Sequence, residues 1–290
     1  MEWVLTVVGL LLVVAIVRDV FHTLFHPIGH GIIAPLVMRL IWRLLRFLPP
    51  QRRISTLTGP LGIAMVVLAW GLVAVVGWTL IYLAQMPDGF AYGAELDPSQ
   101  RHDLLDSLYV SLVAVGTLGF GDIVPLSLSL RVLAPLEALF GFMLLTAAVS
   151  WVLEIYPALH RRRVLAMQLS TLRKARQAEP DLGIDDIPVD VLASLAASIV
   201  EARNDFTQYS ATYYFRDLEA DASLAASLEY ATHLAAEATA STQSQVRLTG
   251  ALMTAALDSL AELLDQEFLQ LGGDTATVVR AYATDHRHSG

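Results

Sequence analysis

The six residues Thr117-Leu118-Gly119-Phe120-Gly121-Asp122 offer main-chain chemistry rather than side-chain acid, base or nucleophile chemistry. Two glycines at i and i+2 let the backbone take conformations closed to residues with a Cβ, so that successive carbonyls can be aimed in one direction. Oxygens arranged in this way suit a monovalent cation that has shed its water. The preceding residues 104–116 are apolar apart from Asp106 and two serines. That run is too short to cross a hydrocarbon core, which takes about 20 residues of helix. It reads as a short helix that enters and turns back, and irregular backbone at such depth survives only where it lines a water-filled path or is buried in protein. In a water-soluble chain the same string would be a glycine-rich surface turn, so the flanking segments decide between the two.

Those segments are membrane-like. The 290 residues are 55% hydrophobic, and residues 1–157 hold nearly all the long apolar runs. Nothing between Arg53 and Asp88 is charged, and the run from Leu61 is long enough to span; a second span covers residues 132–153 with Glu137 as its one charge. The run 4–17 reaches membrane length only with Trp3 and the residues 20–25 included, which places Arg18 and Asp19 at the interface. A signal peptide is the rival reading of that run, opposed by the acidic start Met1-Glu2 and the lack of a small-residue cleavage site. Residues 18–53 hold six arginines against Asp19, and residues 161–176 hold six basic residues and no acid. Both stretches are therefore expected on the cytoplasmic side, with acidic residues 88–106 outside. Three crossings, an external N-terminus, a loop dipping in from outside and a cytoplasmic C-terminus satisfy every one of these assignments.

The loop resembles the selectivity filter of potassium channels, whose pattern is Thr, an aliphatic residue, Gly, Tyr or Phe, Gly, Asp. The resemblance covers residues 58–157 and is to the bacterial two-transmembrane, pore-loop potassium channels. It implies a homotetramer, since one chain supplies one loop and a closed ring takes four. It also implies that K⁺, as permeant ion and not as a cofactor, is coordinated by Thr117 through carbonyl and hydroxyl and by Leu118, Gly119 and Phe120 through carbonyls, with Gly121 completing the filter. Relatives carry an aromatic eight residues before the filter threonine that bonds the aspartate, so a Tyr109 to Asp122 hydrogen bond is expected. Phe120 stands where many relatives have a bracing tyrosine, Gly116 where a threonine is usual and Val113 where some have a glutamate. A less rigid filter that inactivates readily is expected from these departures.

Thr146, Ser150 and Glu154 recur at i, i+4 and i+8 on the second span and so share one helix face. They read as a pore-facing stripe below the filter, or else as hydroxyls bonded to their own helix and a glutamate paired near Arg161. Gly141 lies where inner helices of the family often bend, although glycine also serves close packing. Glu137 lies roughly 140° around the helix from that stripe; a carboxylate in a span almost always faces the bundle interior. It is expected to anchor the structure behind the filter, with a pH-sensitive gate as the second role. Arg39, Arg43 and Arg46, between Pro35 and Pro49-Pro50, suit an interfacial amphipathic helix and no voltage sensor. His22, His26 and His30 have a metal-binding spacing interrupted by Pro27 and glycines.

Residues 177–290 carry five arginines and eighteen acids. Helical patterns at 189–203, around 213–239 and at Met253, Leu257, Leu260, Leu264, Phe268 and Leu271 predict a helical bundle, with Gly272-Gly273-Asp274 ending one helix and capping a last one. The expected fold is thus an all-α membrane protein of three transmembrane helices plus a re-entrant pore helix and filter, followed by a cytoplasmic helical bundle. Its parts are 1–56, an N-terminal transmembrane helix and basic interfacial helix; 57–157, the pore domain; 158–188, a basic linker; and 189–290, an acidic cytoplasmic domain. The expected function is passive K⁺ conduction in a bacterial inner membrane. A non-selective cation channel, or a non-conducting sensor or scaffold working through the C-terminal domain, are the alternatives. No enzymatic activity, cofactor or nucleic-acid partner is expected; membrane lipid is, and a cytoplasmic partner or ligand of the last domain is left open. The lack of cysteine excludes disulfides and thiolate chemistry.

Overall fold

The computed structural model describes residues 2–24, 31–46, 58–94 and 101–287. His26, His30, Pro27 and Pro49-Pro50 lie outside the described residues. Among the described residues three helices are long and apolar enough to cross a membrane: α1 (Glu2–Leu24), α3 (Thr58–Leu83) and α5 (Leu128–Ala178). Between α1 and α3 lies α2 (Ile33–Arg46), and between α3 and α5 lies α4 (Asp103–Val115). A two-stranded antiparallel ribbon pairs β1 (Phe90–Tyr92) with β2 (Ile123–Pro125), so the described fold is not all helix. The chain divides into two compact units, residues 1–43 with 61–153 and residues 44–60 with 154–290.

Within the first unit α1 and α3 meet at Gly9 and Gly77. A Cβ at Gly9 would lie 2.5 Å from the Gly77 carbonyl, and one at Gly77 would lie 3.1 Å from the Gly9 carbonyl. Two small residues let the backbones approach, which is how helices associate where lipid removes the hydrophobic drive. Asp19, expected at the interface, is instead buried. Its Oδ2 accepts the indole N–H of Trp70 on α3 at 2.8 Å, and its Oδ1 accepts from Ile32 N and, at 3.2 Å, from Ile33 N. One carboxylate thus caps the start of α2 and ties α1 to α3, because a charge taken out of water needs several donors. The Trp70 ring also lies 5.7 Å from that of Trp151 on α5. Helix α2 buries Ala34, Met38, Ile41 and Trp42 and exposes Leu36, Leu40 and Leu44 with Arg39 and Arg43, an amphipathic surface helix.

In the second unit the stretch expected to be a basic linker is largely helix. Helix α5 runs on to Ala178, burying Ile155, Ala158, Leu159, Leu165, Ala166 and Leu169. The unit also holds α6 (Val189–Gln208), α7 (Leu224–Thr239), α8 (Ser244–Leu264) and α9 (Thr275–Asp285), with α8 packed on α6, α7 and α9. The basic run of α5 meets the acids of this bundle. Arg161 pairs with Asp205 and Glu201, Arg162 and Arg163 with Asp217, Lys174 with Asp221, and Arg176 with Glu237.

Two expectations here are corrected. Residues 213–239 do not form one long helical segment: α7 starts at Leu224, and the carbonyls of Thr212 and Phe215 accept from the buried Arg162 guanidinium at 2.6 and 2.9 Å. Leu271 is not a core position but exposed, because the chain leaves α8 through a π-turn (Asp265–Leu269) and a left-handed Gln270. The Asp265 carboxylate then accepts the N–H groups of Leu271 and Gly272 at 2.7 and 3.0 Å. The expected cap on the last helix is present, with Asp274 Oδ1 accepting from Thr277 N at 2.9 Å.

The C-terminal end of α9 closes an aromatic cluster in which Phe268 stacks on Tyr213 at 4.1 Å and His286 is buried. Its ring nitrogens lie 3.1 Å from the Tyr282 carbonyl and 2.8 Å from the Tyr213 carbonyl, with Asp285 and Arg162 as the charged neighbours. Burial lowers its pKa from 6.5 to about 4. The unfolded chain therefore binds more protons across that window, and stability falls as pH drops from about 6.5 toward 4. We expect this to cost on the order of 3 kcal/mol, read as a lower thermal midpoint for the second unit. His286→Gln should flatten the dependence within the window.

Candidate ion-conducting site

The loop from Thr117 to Gly121 hangs on the end of α4. Helix α4 stops at Gly116, and the N–H groups of Gly116, Thr117 and Leu118 donate to the carbonyls of Leu112, Ala114 and Val113, each at 2.9 Å. The C-terminal end of a helix carries a partial negative charge that favours a cation nearby. Beyond it the φ angle is +55° at Thr117, +60° at Gly119 and +79° at Gly121, while Leu118 and Phe120 keep negative φ. Alternation between left- and right-handed residues turns successive peptide planes to the same side, bringing carbonyls together on one edge and N–H groups on the other. Glycine takes the left-handed region freely; Thr117, β-branched, is strained there, the kind of strain found at functional sites.

The far end of the loop is held from two sides. The Tyr109 hydroxyl donates to Asp122 Oδ2 at 2.6 Å, the bond that the resemblance implied, and the Asp122 carbonyl accepts from Gly93 N at 2.7 Å. The β1–β2 ribbon continues the second attachment, with Phe90 opposite Pro125 and Tyr92 opposite Ile123. Tyr92 donates to Asp106 Oδ2 at 3.0 Å and stacks under the Arg101 guanidinium, returning the ribbon to the start of α4. This outer brace was not read from the sequence: three-residue strands are too short to show an alternating pattern. If the loop conducts ions, removing the inner brace by Tyr109→Phe should speed the decay of current while leaving initial flux intact, measured in planar bilayers.

Behind α4, Glu137 is fully buried. Its Oε1 accepts from Ser111 Oγ on α4 at 2.6 Å, and its Oε2 accepts from the Tyr82 hydroxyl on α3. Glu137 faces α4, as its angle from the Thr146 face required; Tyr82, as third member, went unread because nothing in a uniformly apolar span marks which residue turns inward. Gly141 has an equally local explanation. A Cβ on it would collide with the Val115 carbonyl at the end of α4, so the glycine permits close packing; α5 is continuous helix through it. Thr146 and Ser150 bond to the carbonyls of Phe142 and Thr146 on their own helix, at 2.9 and 3.1 Å, and both are exposed in the single chain. Glu154 accepts from Tyr209 at 3.0 Å, the alternative to a free ring of carboxylates, with Tyr209 rather than an arginine as its partner.

The loop itself is uncovered. Leu118 and Phe120 are 60% and 65% exposed, and a cavity of about 530 Å³ lined by Tyr109, Val113, Thr117, Arg131, Pro135 and Ala138 opens beside them. Residues 65–156 match the family of ion channels. The match runs from within α3, through α4 and the loop, into α5, and so takes in every element that holds the loop. No curated protein and no solved structure was found to match the chain. The matched region therefore lies in a mostly helical protein whose described residues include three helices long and apolar enough to cross a membrane. In it Thr117, Gly119, Gly121, Tyr109, Asp122 and Glu137 form one connected assembly on α4, while Thr146, Ser150 and Glu154 lie apart along α5.

Proposed function

We propose that four copies of the chain form a potassium-selective channel around one axis, with the main chain of residues 117–121 replacing the water shell of K⁺. The observation that carries this reading is the alternating φ along Thr117-Leu118-Gly119-Phe120-Gly121 at the end of α4, in a region that matches ion channels. Exposure of the loop and of Leu118 and Phe120 on a single chain supports assembly, since an unlined filter coordinates nothing. The charge pattern supports an external N-terminus, a filter opening outward and a cytoplasmic acidic bundle in an inner membrane. Conduction would be passive, each 100 mV supplying roughly 2.3 kcal/mol per K⁺.

The test is cation flux from liposomes containing the purified protein. K⁺ efflux well above Na⁺ efflux is expected. Equal rates would replace the selective channel with a non-selective cation channel, and absence of flux together with a monomer or dimer in mild detergent would favour a membrane scaffold.

A further inference from the structure

Within the second unit, residues 209–217 are gripped by three helices. On α5, Glu154 accepts from the Tyr209 hydroxyl at 3.0 Å, and the Arg162 guanidinium donates to the carbonyls of Thr212 and Phe215 at 2.6 and 2.9 Å. Asp217 closes the segment by pairing with Arg162 and Arg163 at 3.0 and 2.7 Å. At the end of α9, Asp285 accepts from the Tyr213 hydroxyl at 2.7 Å, and His286 Nε2 lies 2.8 Å from the Tyr213 carbonyl. On α3, Gly59 packs against the Phe215 ring so closely that a Cβ there would overlap it. Thr58, Gly59 and Phe215 are all buried.

Residues 58–60, the start of α3, and residues 154–163 of α5 belong to the same compact unit as the segment that grips them. These grips leave little slack. Close packing passes a displacement on instead of absorbing it, so the Phe215 ring cannot move toward Gly59 without moving the backbone of α3. The Arg162 guanidinium is a rigid planar fork, and its donors cannot follow two carbonyls independently. A shift of Tyr213 with α9 is therefore carried by Phe215 to the start of α3 and by Arg162 to α5. Both helices are uninterrupted and both carry residues of the region that matches ion channels. Packed side chains joined to rigid helices are the physical means by which one part of a protein biases another.

We infer that residues 209–217 are the coupling element through which the acidic bundle regulates ion flow, acting on α3 and α5 together. This rests on the reading of the chain as a channel. Two variants of the full chain test it: Phe215→Ala removes the ring against α3, and Tyr209→Phe keeps the packing but releases Glu154. Amide hydrogen exchange is followed at residues 62–64, whose N–H groups donate to the carbonyls of residues 58–60. K⁺ efflux is measured in liposomes from the same preparations, with Leu248→Ala, exposed on α8, as control. Phe215→Ala is expected to speed exchange at 62–64 and to change efflux by about fivefold or more, the low end of coupling between sites. Tyr209→Phe should change efflux in the same direction by less, at the thermal midpoint of the parent chain, and Leu248→Ala should change neither readout. Parent-like efflux in both variants would overturn the inference and leave the channel reading standing. If Phe215→Ala does not fold, Tyr209→Phe decides by the same measure. Faster exchange at 62–64 in a parent chain that passes no K⁺ would support the mechanical link and remove conduction, and with it any control of flow.

Discussion

Gly119→Ala is expected to reduce K⁺ flux to the level of protein-free liposomes while the protein still folds and assembles. Residue 119 has φ +60°, and a Cβ placed there meets no atom of its own chain within 4 Å. Collision with the chain's own atoms therefore cannot account for a loss. What the methyl group changes is the backbone, since an L-residue in the left-handed region costs roughly 1–2 kcal/mol. In the proposed ring of four that becomes roughly 4–8 kcal/mol per pore, relieved only by turning the peptide and its carbonyl away from the ion path. Gly116→Ala is the contrast: φ there is −72°, open to any residue, although a Cβ would press on the Leu112 carbonyl at 2.9 Å. Flux should fall far less in that variant. If Gly119→Ala conducts like the parent chain, the alternating backbone is not the conducting element.

Glu137→Ala should be the most destabilising change in the region that matches ion channels. The carboxylate accepts from Ser111 and Tyr82 and so links α4, α5 and α3 at one point with no exposure to solvent. Ser111 has a second acceptor in the Val75 carbonyl at 3.3 Å, so the Tyr82 hydroxyl is the group left stranded. An unsatisfied buried donor costs about 1–3 kcal/mol, and loss of the Ser111 hydrogen bond and of the packed side chain adds to it. A total of about 2–5 kcal/mol is expected, seen as a lower thermal midpoint in detergent and loss of K⁺ flux. Glu137→Gln keeps one carbonyl acceptor and should retain most of the stability. An Ala variant that unfolds at the parent temperature would mean that the three helices are held by packing alone.

The parts of the site legible in the sequence are those whose signal is local. Thr117 to Asp122 announce their backbone through two glycines, and Tyr109 is found only through the resemblance to channels that carry an aromatic at its position. Glu137 stands out as the one charge in a span, and helical period alone gives its direction. Asp19 is the counterexample: lying among Arg18 and the polar end of α1, it looks interfacial, and only the fold brings Trp70 and the start of α2 to it. Tyr82 and Tyr92 were hidden for the same reason, since a tyrosine's partner many residues away leaves no trace in spacing. In the second unit the helical periods were readable, but the break before Leu224 was not. There Arg162, about fifty residues earlier, donates to the carbonyls of Thr212 and Phe215, a partnership that leaves no trace in local spacing.

The ion pairs along α5 give one stretch of sequence two successive duties. On the proposed orientation, Arg161, Arg162, Arg163, Lys174 and Arg176 would act as bare cations resisting translocation while the chain is being inserted. Once the bundle has folded, the same groups face Asp205, Asp217, Asp221 and Glu237. Reversing the sign of those acids would therefore leave the direction of insertion untouched and disturb only the finished protein.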